Sequence, residues 1–354
     1  MTTAIILAAG YGERLKPLTF SMPKPLVKIM GKPIIKYLID ELMRCGINDF
    51  VVVIGPYSTA IKDYLEREGI ETRYAYQPMR LGVADAIMRG IDAGVSEPVI
   101  TLFADNYFSE GLCGFVRSFM EDRSYDAYIV LASHKHKERF GNVIIKDGKV
   151  REIIEKPKEP PKDSFVLTGL MAFRNADVFI KAFTNIKPSP RNEYEITDVL
   201  RMIINNNGVV KYVISSGWWK DMGTYDDLLE LMQLLIDSIE GQRIEGTVTG
   251  NVVGRVIIEK GAVVEGSVYG PAYIGAGAYV GRHASIEHFV DLEGKSQVIS
   301  GRVTRSIIYD ESTIDLNQGV LMDSVVGPQS TVKVSNTKLQ LLIGEKSVVA
   351  EPTI

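Results

Sequence analysis

Cysteine and histidine are scarce in this chain: 354 residues hold two of the first, Cys45 and Cys113, and four of the second. Two cysteines make no disulfide framework. Neither they nor His134, His136, His283 and His288 fall at the spacing of a metal site or a catalytic triad. Both cysteines are expected as small core residues, Cys45 on a helix and Cys113 near another. No run of about 18 apolar residues occurs, so no membrane span and no membrane partner are expected. A charged n-region with a cleavage site is absent from the N-terminus, which makes the cytoplasm the expected location. Long runs of Lys or Arg are missing and the net charge is −4, which argues against nucleic acid as a general partner. What is present is ordinary globular material, 45% apolar and 24% charged. The length suggests two domains.

The stretch Leu7–Pro33, LAAGYGERLKPLTFSMPKPLVKIMGKP, organises the rest. It follows the apolar run Ala4-Ile5-Ile6-Leu7, which predicts a buried strand. Gly10 and Gly12 then allow backbone N–H groups to approach a ligand closely, and successive amides form an anion-binding concavity. Arg14 and Lys24 add two cations, and Pro17, Pro23 and Pro25 stiffen the segment that carries them. The combination suits a triphosphate. A P-loop is excluded, because Gly31-Lys32 is followed by Pro33 rather than Ser or Thr. A dinucleotide fingerprint is excluded as well, because Leu15 stands where a third glycine is required.

Downstream, Pro33 is expected to open a helix whose apolar face is Ile34, Ile35, Leu38, Ile39, Leu42 and Met43. Strand-like runs at 50–54, 72–76, 99–103 and 127–132 alternate with helical patterns. This predicts an α/β domain: a Rossmann-like, mostly parallel sheet with helices on both faces. Ligands of such sheets bind beyond the carboxyl ends of the strands, where the Gly10 loop lies. Asp105 follows the strand 99–103 at such an end, where a carboxylate suits a hard cation, although a turn or cap is an even alternative. Gln77 and Gly82 open a helix and could meet a base, or form a plain polar turn. Asp147-Gly148 predicts a hairpin turn. Glu155-Lys156-Pro157 reads either as a surface turn or as contacts to a sugar and its phosphate. Thr224 and Asp226 are nearer caps than Asp221 for a helix from Tyr225 to Ile239, which leaves Asp221 open to another use.

After Gly241 the text changes. Ile244, Val256, Val268, Ile274, Val280 and Ile286 fall on one six-residue grid, and Ile308, Ile314, Val320, Val326 and Val332 on another. Small residues recur beside them, including Gly275, Gly281, Ala272, Ala278 and Ala284. This is the hexapeptide signature of a parallel β-helix. The grids differ in phase by four residues, so 287–301 is expected to bulge out as a loop. The expected domains are 1–240 and 241–354.

The Leu7–Pro33 string resembles the signature of the sugar-1-phosphate nucleotidylyltransferases, LAxGxGxRLxPLTxxxPKPLxxxxxKP. Four later segments extend the resemblance over nearly the whole chain. They are Phe103-Ala104-Asp105-Asn106, the succession FG (140–141), EKP (155–157) and TGL (168–170), the segment RNEYEITD (191–198), and WKDMGT (219–224). With KEPP at 158–161, GWWKD at 217–221 and a β-helix, expected left-handed, the chain looks most like the long form of glucose-1-phosphate thymidylyltransferase. The resemblance implies nucleotide contacts from Ala9, Gly10, Gly12, Glu13, Gln77 and Gly82. It implies sugar-phosphate contacts from Gly141, Glu155, Lys156, Gly169 and Arg191, and Mg²⁺ held by Asp105 and Asp221. Arg14 and Lys24 would be catalytic. Asn192 and Ala104 replace glycines of the pattern. Pro25 stands where thymidylyltransferases carry Gln, Glu13 where they carry Thr, and Phe140 lacks the hydroxyl of some relatives.

The implied reaction is attack of a sugar 1-phosphate on the α-phosphorus of a nucleoside triphosphate, with pyrophosphate leaving. Such transfers depend on positioning and charge neutralisation. The expected pair is dTTP or UTP with glucose 1-phosphate. Alternatives are UTP or GTP with N-acetylglucosamine or mannose 1-phosphate, a non-catalytic sensor of nucleotides or sugar phosphates, and a bifunctional enzyme with an acetyltransferase β-helix. A homo-oligomer assembled through the β-helix is expected.

Overall fold

In the computed structural model, which describes residues 2–56 and 58–351, the first apolar run forms β1, Thr3–Leu7. The chain divides into two compact units. One comprises Met1–Tyr11 and Ile34–Asp221, the other Gly12–Pro33 and Met222–Ile354.

In the first unit, α1 (Ile34–Arg44) leads to β2 (Asp49–Ile54), α2 (Thr59–Arg67), β3 (Arg73–Tyr76), α3 (Val83–Asp92) and β4 (Val99–Phe103). A short β5 (Asn106–Phe108) and α4 (Cys113–Glu121) follow, then β6 (Ala127–Ala132) and the hairpin β7 (Gly141–Lys146) and β8 (Lys149–Glu155). The unit closes with β9 (Phe165–Phe173), α5 (Ala176–Phe183), α6 (Ile196–Asn205), β10 (Val210–Ile214) and β11 (Trp219–Asp221). β3, β2, β1 and β4 run parallel in that order; β9 lies antiparallel to β4, β6 and β7. The sheet is therefore mixed, with its parallel half nearest the N-terminus. Side chains alternate across a strand. Ile5 and Leu7 join Val51, Val53, Ile87 and Val199 in one core, while Ile6 and Val52 on the opposite face are also fully buried. Asp147 and Gly148 both take positive φ in the turn of the β7–β8 hairpin, as expected of a two-residue turn matched to strand twist.

In the second unit, residues 12–33 form a series of single helical turns, Glu13–Leu15, Leu18–Phe20 and Lys24–Leu26. A two-residue hairpin, Lys28–Ile29 paired antiparallel with Lys32–Pro33, ends the stretch. α7 (Tyr225–Asp237) is capped by Thr224, whose Oγ1 accepts from the Asp227 N–H. The remainder is a parallel β-helix, consistent with a left-handed coil. Its interior holds Val256, Ile258, Val264, Ile274, Val280, Val290, Leu292, Val298, Ile308, Ile314 and Val332. Buried serines line one corner. Ser296 Oγ accepts from the Ser312 N–H, Ser312 Oγ from Ser330, and Ser330 Oγ from Ser347, at 3.1–3.3 Å.

The structure corrects four expectations. Cys45 and Cys113 are joined in a disulfide, with Cα atoms 4.9 Å apart. They are half-buried at the end of α1 and the start of α4, two helices that pack together, and are not core residues. Residues 287–301 are not a loop, because Val290–Leu292 and Gln297–Thr304 are strands of the coil. Tyr279 pairs with Gln297, 18 residues on, but Gln297 pairs with Thr313, only 16 on. One coil two residues short moves a six-residue grid by four places without leaving the helix. Ile244 is 42% exposed in the first coil rather than buried. Pro33 pairs with Lys28 in the small hairpin, and α1 begins at Ile34.

Candidate active site

β5 and β11 pair the two segments that carry the carboxylates the sequence suggests for a cation. These strands pair antiparallel with Trp219 opposite Phe108, Lys220 opposite Tyr107 and Asp221 opposite Asn106. Residues directly opposite in such a pair have Cα atoms about 4.5–5.5 Å apart. Asp221 thus lies across from the neighbour of Asp105, despite a sequence separation of 116 (221 − 105). Asn106 fixes the Asp105 carboxylate. Its Nδ2 donates to Asp105 Oδ1 at 2.9 Å, and its Oδ1 accepts from the Trp219 indole N–H at 2.6 Å. Arg139 stands 3.9 Å from Asp221. Two anionic oxygen donors with no thiolate or imidazole between them suit a hard divalent ion. Among the described residues, the one cluster of three metal-type side chains is Glu41, Cys45 and Cys113. The disulfide removes its thiolates.

The glycines divide by what fills the space of their missing side chains. A Cβ on Gly10 would meet nothing within 4 Å, so this position leaves room for a ligand. Gly12, at φ 63°, is packed against Thr19 and Lys24, whose nearest atoms would lie 2.9 and 3.2 Å from a Cβ. The Gly12 carbonyl accepts from Thr19 Oγ1 at 2.8 Å. Gly82 is at φ 96°, and a Cβ there would sit 2.5 Å from the Tyr194 carbonyl oxygen. Its glycine is thus demanded by the crossing of the segment before α6, with the Tyr194 carbonyl accepting from the Ala84 N–H and the Tyr194 N–H donating to Leu81. Gly169 faces the Phe103 ring and Gly141 faces Thr197 and Leu167 in the same way. Ala9 packs its backbone against Gly55, and Glu13 is an exposed residue paired with Lys16 at 2.6 Å.

Gln77 is buried at the start of the turn before α3. Its Nε2 donates to the Gly82 carbonyl at 3.0 Å and to Asp85 Oδ2 at 2.8 Å. Both partners are acceptors, so they fix which end of the amide is nitrogen. Arg89 holds Asp85 from the other side at 2.8 Å. Gln77 is left with its Oε1 carbonyl to offer a base. Asp85 carries this control and escaped the sequence reading, since an acid in the first turn of a helix is ordinary.

The third group surrounds Glu155. Glu155 Oε1 accepts from Arg191 at 2.8 Å and Oε2 from Thr197 Oγ1 at 3.0 Å, while Lys156 Nζ stands 3.5 Å away. Arg191 also donates to Glu195 Oε1 at 2.9 Å. Glu195 and Thr197 are buried members of this network that the sequence did not single out. Arg191 is engaged by two carboxylates. Nearby, His134 stacks edge-on with Phe140 and Trp219, and burial pushes its imidazole below the usual range.

In the other unit, Arg14 lies on the first of the helical turns and Lys24 on the third. The Tyr225 hydroxyl braces this stretch, donating to the Leu15 carbonyl at 2.8 Å and accepting from the Leu18 N–H at 3.3 Å. Pro25 is buried and has no polar side-chain group to offer.

Comparison with known proteins bears on the family and the fold. The family model for nucleotidyl transferase matches residues 3–238. A glucose-1-phosphate thymidylyltransferase of Streptomyces antibioticus is 31% identical over 88% of this chain and 88% of its own. The low-salt glycan biosynthesis nucleotidyltransferase Agl11 of Haloferax volcanii is 32% identical over 97% of this chain and 98% of its own, so the similarity includes the β-helix. A solved structure described as a candidate glucose-1-phosphate thymidylyltransferase from Bacillus anthracis, in complex with sucrose, superposes with a TM-score of 0.59. It is 32% identical and covers 65% of this chain and 93% of its own. A matched family model over two-thirds of the sequence, relatives along its full length and a shared fold lead to one conclusion: the chain belongs to the nucleotidyl transferase family, among its sugar-1-phosphate nucleotidylyltransferases.

Proposed function

We propose that this protein joins a nucleoside triphosphate to a sugar 1-phosphate, releasing pyrophosphate, with a uracil or thymine nucleotide and glucose 1-phosphate as the substrates. The pairing of β5 with β11, which sets Asp221 opposite Asn106, the chain neighbour of Asp105, is the observation that supports the reading. Family members generally use a divalent metal. Mg²⁺ held by Asp105 and Asp221 would supply charge neutralisation at the α-phosphate. Arg14 faces the β- and γ-phosphates and the departing pyrophosphate, and Lys24 the α-phosphate. A phosphate oxygen of the sugar 1-phosphate attacks the α-phosphorus as the bond to pyrophosphate breaks. That oxygen is already ionised at neutral pH, so no general base is required. A neutral His134 is compatible with that chemistry. Ala9, Gly10, Gly12 and Glu13 line the triphosphate; Gly141, Glu155, Lys156, Gly169 and Arg191 receive the sugar phosphate.

The fixed amide of Gln77 supports the choice of base. An acceptor at Oε1 matches the imide N–H of uracil or thymine, whereas the same ring position of cytosine is an acceptor. Pro25 offers nothing further to separate uracil from thymine, so UTP stands beside dTTP. A panel of dTTP, UTP, CTP and GTP with glucose, N-acetylglucosamine and mannose 1-phosphates tests this by pyrophosphate release with Mg²⁺. Fastest turnover with UTP or dTTP and glucose 1-phosphate is expected. Nucleotide binding without turnover for every pair would replace the enzyme with a sensor.

No helix among the described residues is long and apolar enough to cross a membrane. The cytoplasm, which supplies both substrates, is the proposed location. The Cys45–Cys113 bond sets a condition on it, since disulfides persist inside cells chiefly in hyperthermophiles. The β-helix is proposed to support a homo-oligomer, which light scattering would test.

A further inference from the structure

On the outer face of the β-helix, Tyr273, Asp291 and Ile307 stand in register across three neighbouring strands, followed by Glu293 and Tyr309. Outward residues of a coil normally meet water, but all five are buried, because the 12–33 stretch and α7 cover this face. Two carboxyls without water are costly unless they are bonded, and their partners are backbone amides. Asp291 Oδ2 accepts from the Met30 N–H and Glu293 Oε1 from the Gly31 N–H, both at 2.8 Å. Met30 and Gly31, at φ 53° and 76°, are the two central residues of the Lys28–Pro33 hairpin. A turn of this kind points its amides outward, where the carboxyls take them. A Cβ on Gly31 would lie 2.5 Å from the Tyr273 hydroxyl, so the contact is close. The Tyr309 hydroxyl donates to the Lys28 carbonyl at 3.1 Å, and Lys28 Nζ meets Asp310 at 2.9 Å.

One atom of this cluster, Asp291 Oδ1, is buried with no hydrogen-bond partner of its own. Asp291 and Glu293 are close enough to interact, and burial first, then the neighbouring carboxylates, raises both; Glu293 rises to about 7. A proton on Asp291, shared with Glu293, accounts for the orphaned oxygen. Lys28 is a cation facing Glu293, with Asp310 and Tyr309 as the other charged or titratable neighbours and Tyr273 in register with Asp291.

We infer that Asp291 and Glu293 are positioning residues for nucleotidyl transfer. Through the Met30–Gly31 turn the β-helix holds the short segment that carries Lys24, so it serves the chemistry as well as assembly. The inference rests on the proposed reaction for its kinetic consequence, but the grip itself can be read without turnover.

The test is hydrogen exchange at residues 24–33 of the full chain, together with kcat and KM, for Glu293→Ala, Glu293→Gln and Asp291→Asn. Glu293→Ala is expected to speed exchange at Met30 and Gly31 at least tenfold and to lower kcat about as much, with KM for the sugar phosphate within twofold. Asp291→Asn reproduces the protonated acid: its Oδ1 accepts from Met30 and its Nδ2 donates to Glu293. Below about pH 7, where the wild-type pair holds its proton, it is expected to keep wild-type exchange and kcat. It should also abolish an inflection near neutral pH that the wild type shows in exchange beyond the intrinsic base-catalysed slope. Glu293→Gln, which folds more safely than the alanine, retains an acceptor and should restore most of the rate. Exchange and kcat within twofold of wild type in Glu293→Ala would overturn the inference, as would identical pH profiles for wild type and Asp291→Asn. If no substrate pair turns over, the proposed reaction fails while the exchange data still decide whether the grip exists.

Discussion

Asn106 shows how much one side chain can fix. Its amide links the Trp219 indole to the Asp105 carboxylate, so a ring on β11 sets the direction of an acid at the end of β4. Removing either acid should cost roughly a hundredfold or more in kcat. Asp105→Asn and Asp221→Asn are therefore expected to be nearly inactive and to need more Mg²⁺, as measured by titrating rate against metal. Trp219→Phe keeps the ring but loses the N–H, and should lower activity by about tenfold, the scale of outer-shell effects. Asp85→Ala frees the Gln77 amide to turn over. The discrimination between UTP and CTP, measured as a ratio of kcat/KM, should fall by tenfold or more while the rate with saturating UTP changes little. Motif reading singled out Asp105, Asp221 and Gln77 because their types announce chemistry. It missed Asp85, Glu195 and Thr197 because an acid or threonine at a helix start is common for other reasons. Nor could it foresee that Tyr194 fills the space beside Gly82.

At the scale of elements, the β-helix depends on polar groups inside it. Ser312 Oγ accepts from the Ser330 N–H and donates to the Gly327 carbonyl at 2.9 Å. Ser312→Ala leaves both backbone groups buried without that partner. It should reduce stability by about 1–3 kcal/mol in chemical denaturation. The carboxyl pair makes stability depend on pH. The Glu293 carboxyl is raised from 4.5 to about 7 in the folded chain, chiefly by burial. Between those values the native state binds more protons than the unfolded one, so stability falls as pH rises and levels off above the folded value. Unfolding free energy should decline from pH 5 to 7.5, and Glu293→Gln should flatten that decline. The hexapeptide grid revealed the coil because period is a local property. A coil two residues short cannot be told from an inserted loop by spacing alone. Nor could the cover over Tyr273 and Asp291 be foreseen, since it comes from about 260 residues earlier in the chain.

For the molecule as a whole, the parallel half of the sheet, the hairpin and the solenoid could all be read from periodicity and turns. Pairings at long range could not. The Cys45–Cys113 bond closes 68 residues, and a span of that length says nothing about proximity. In the chain-entropy account such a link contributes on the order of 4 kcal/mol. Cys113→Ser should lower stability by up to that amount under oxidising conditions and by nothing measurable in excess reductant.

The contacts that the solenoid makes with residues 12–33 are spread along its axis. Gly344 meets Pro17 near the far end, Asp310 meets Lys28 midway, and Glu293 and Asp291 meet the turn one coil earlier. Trimming the chain from its C-terminus would therefore unfasten this stretch like a row of buttons, first beside Pro17 and last at Met30. A set of nested truncations would rank the fastenings by which loss first slows the enzyme.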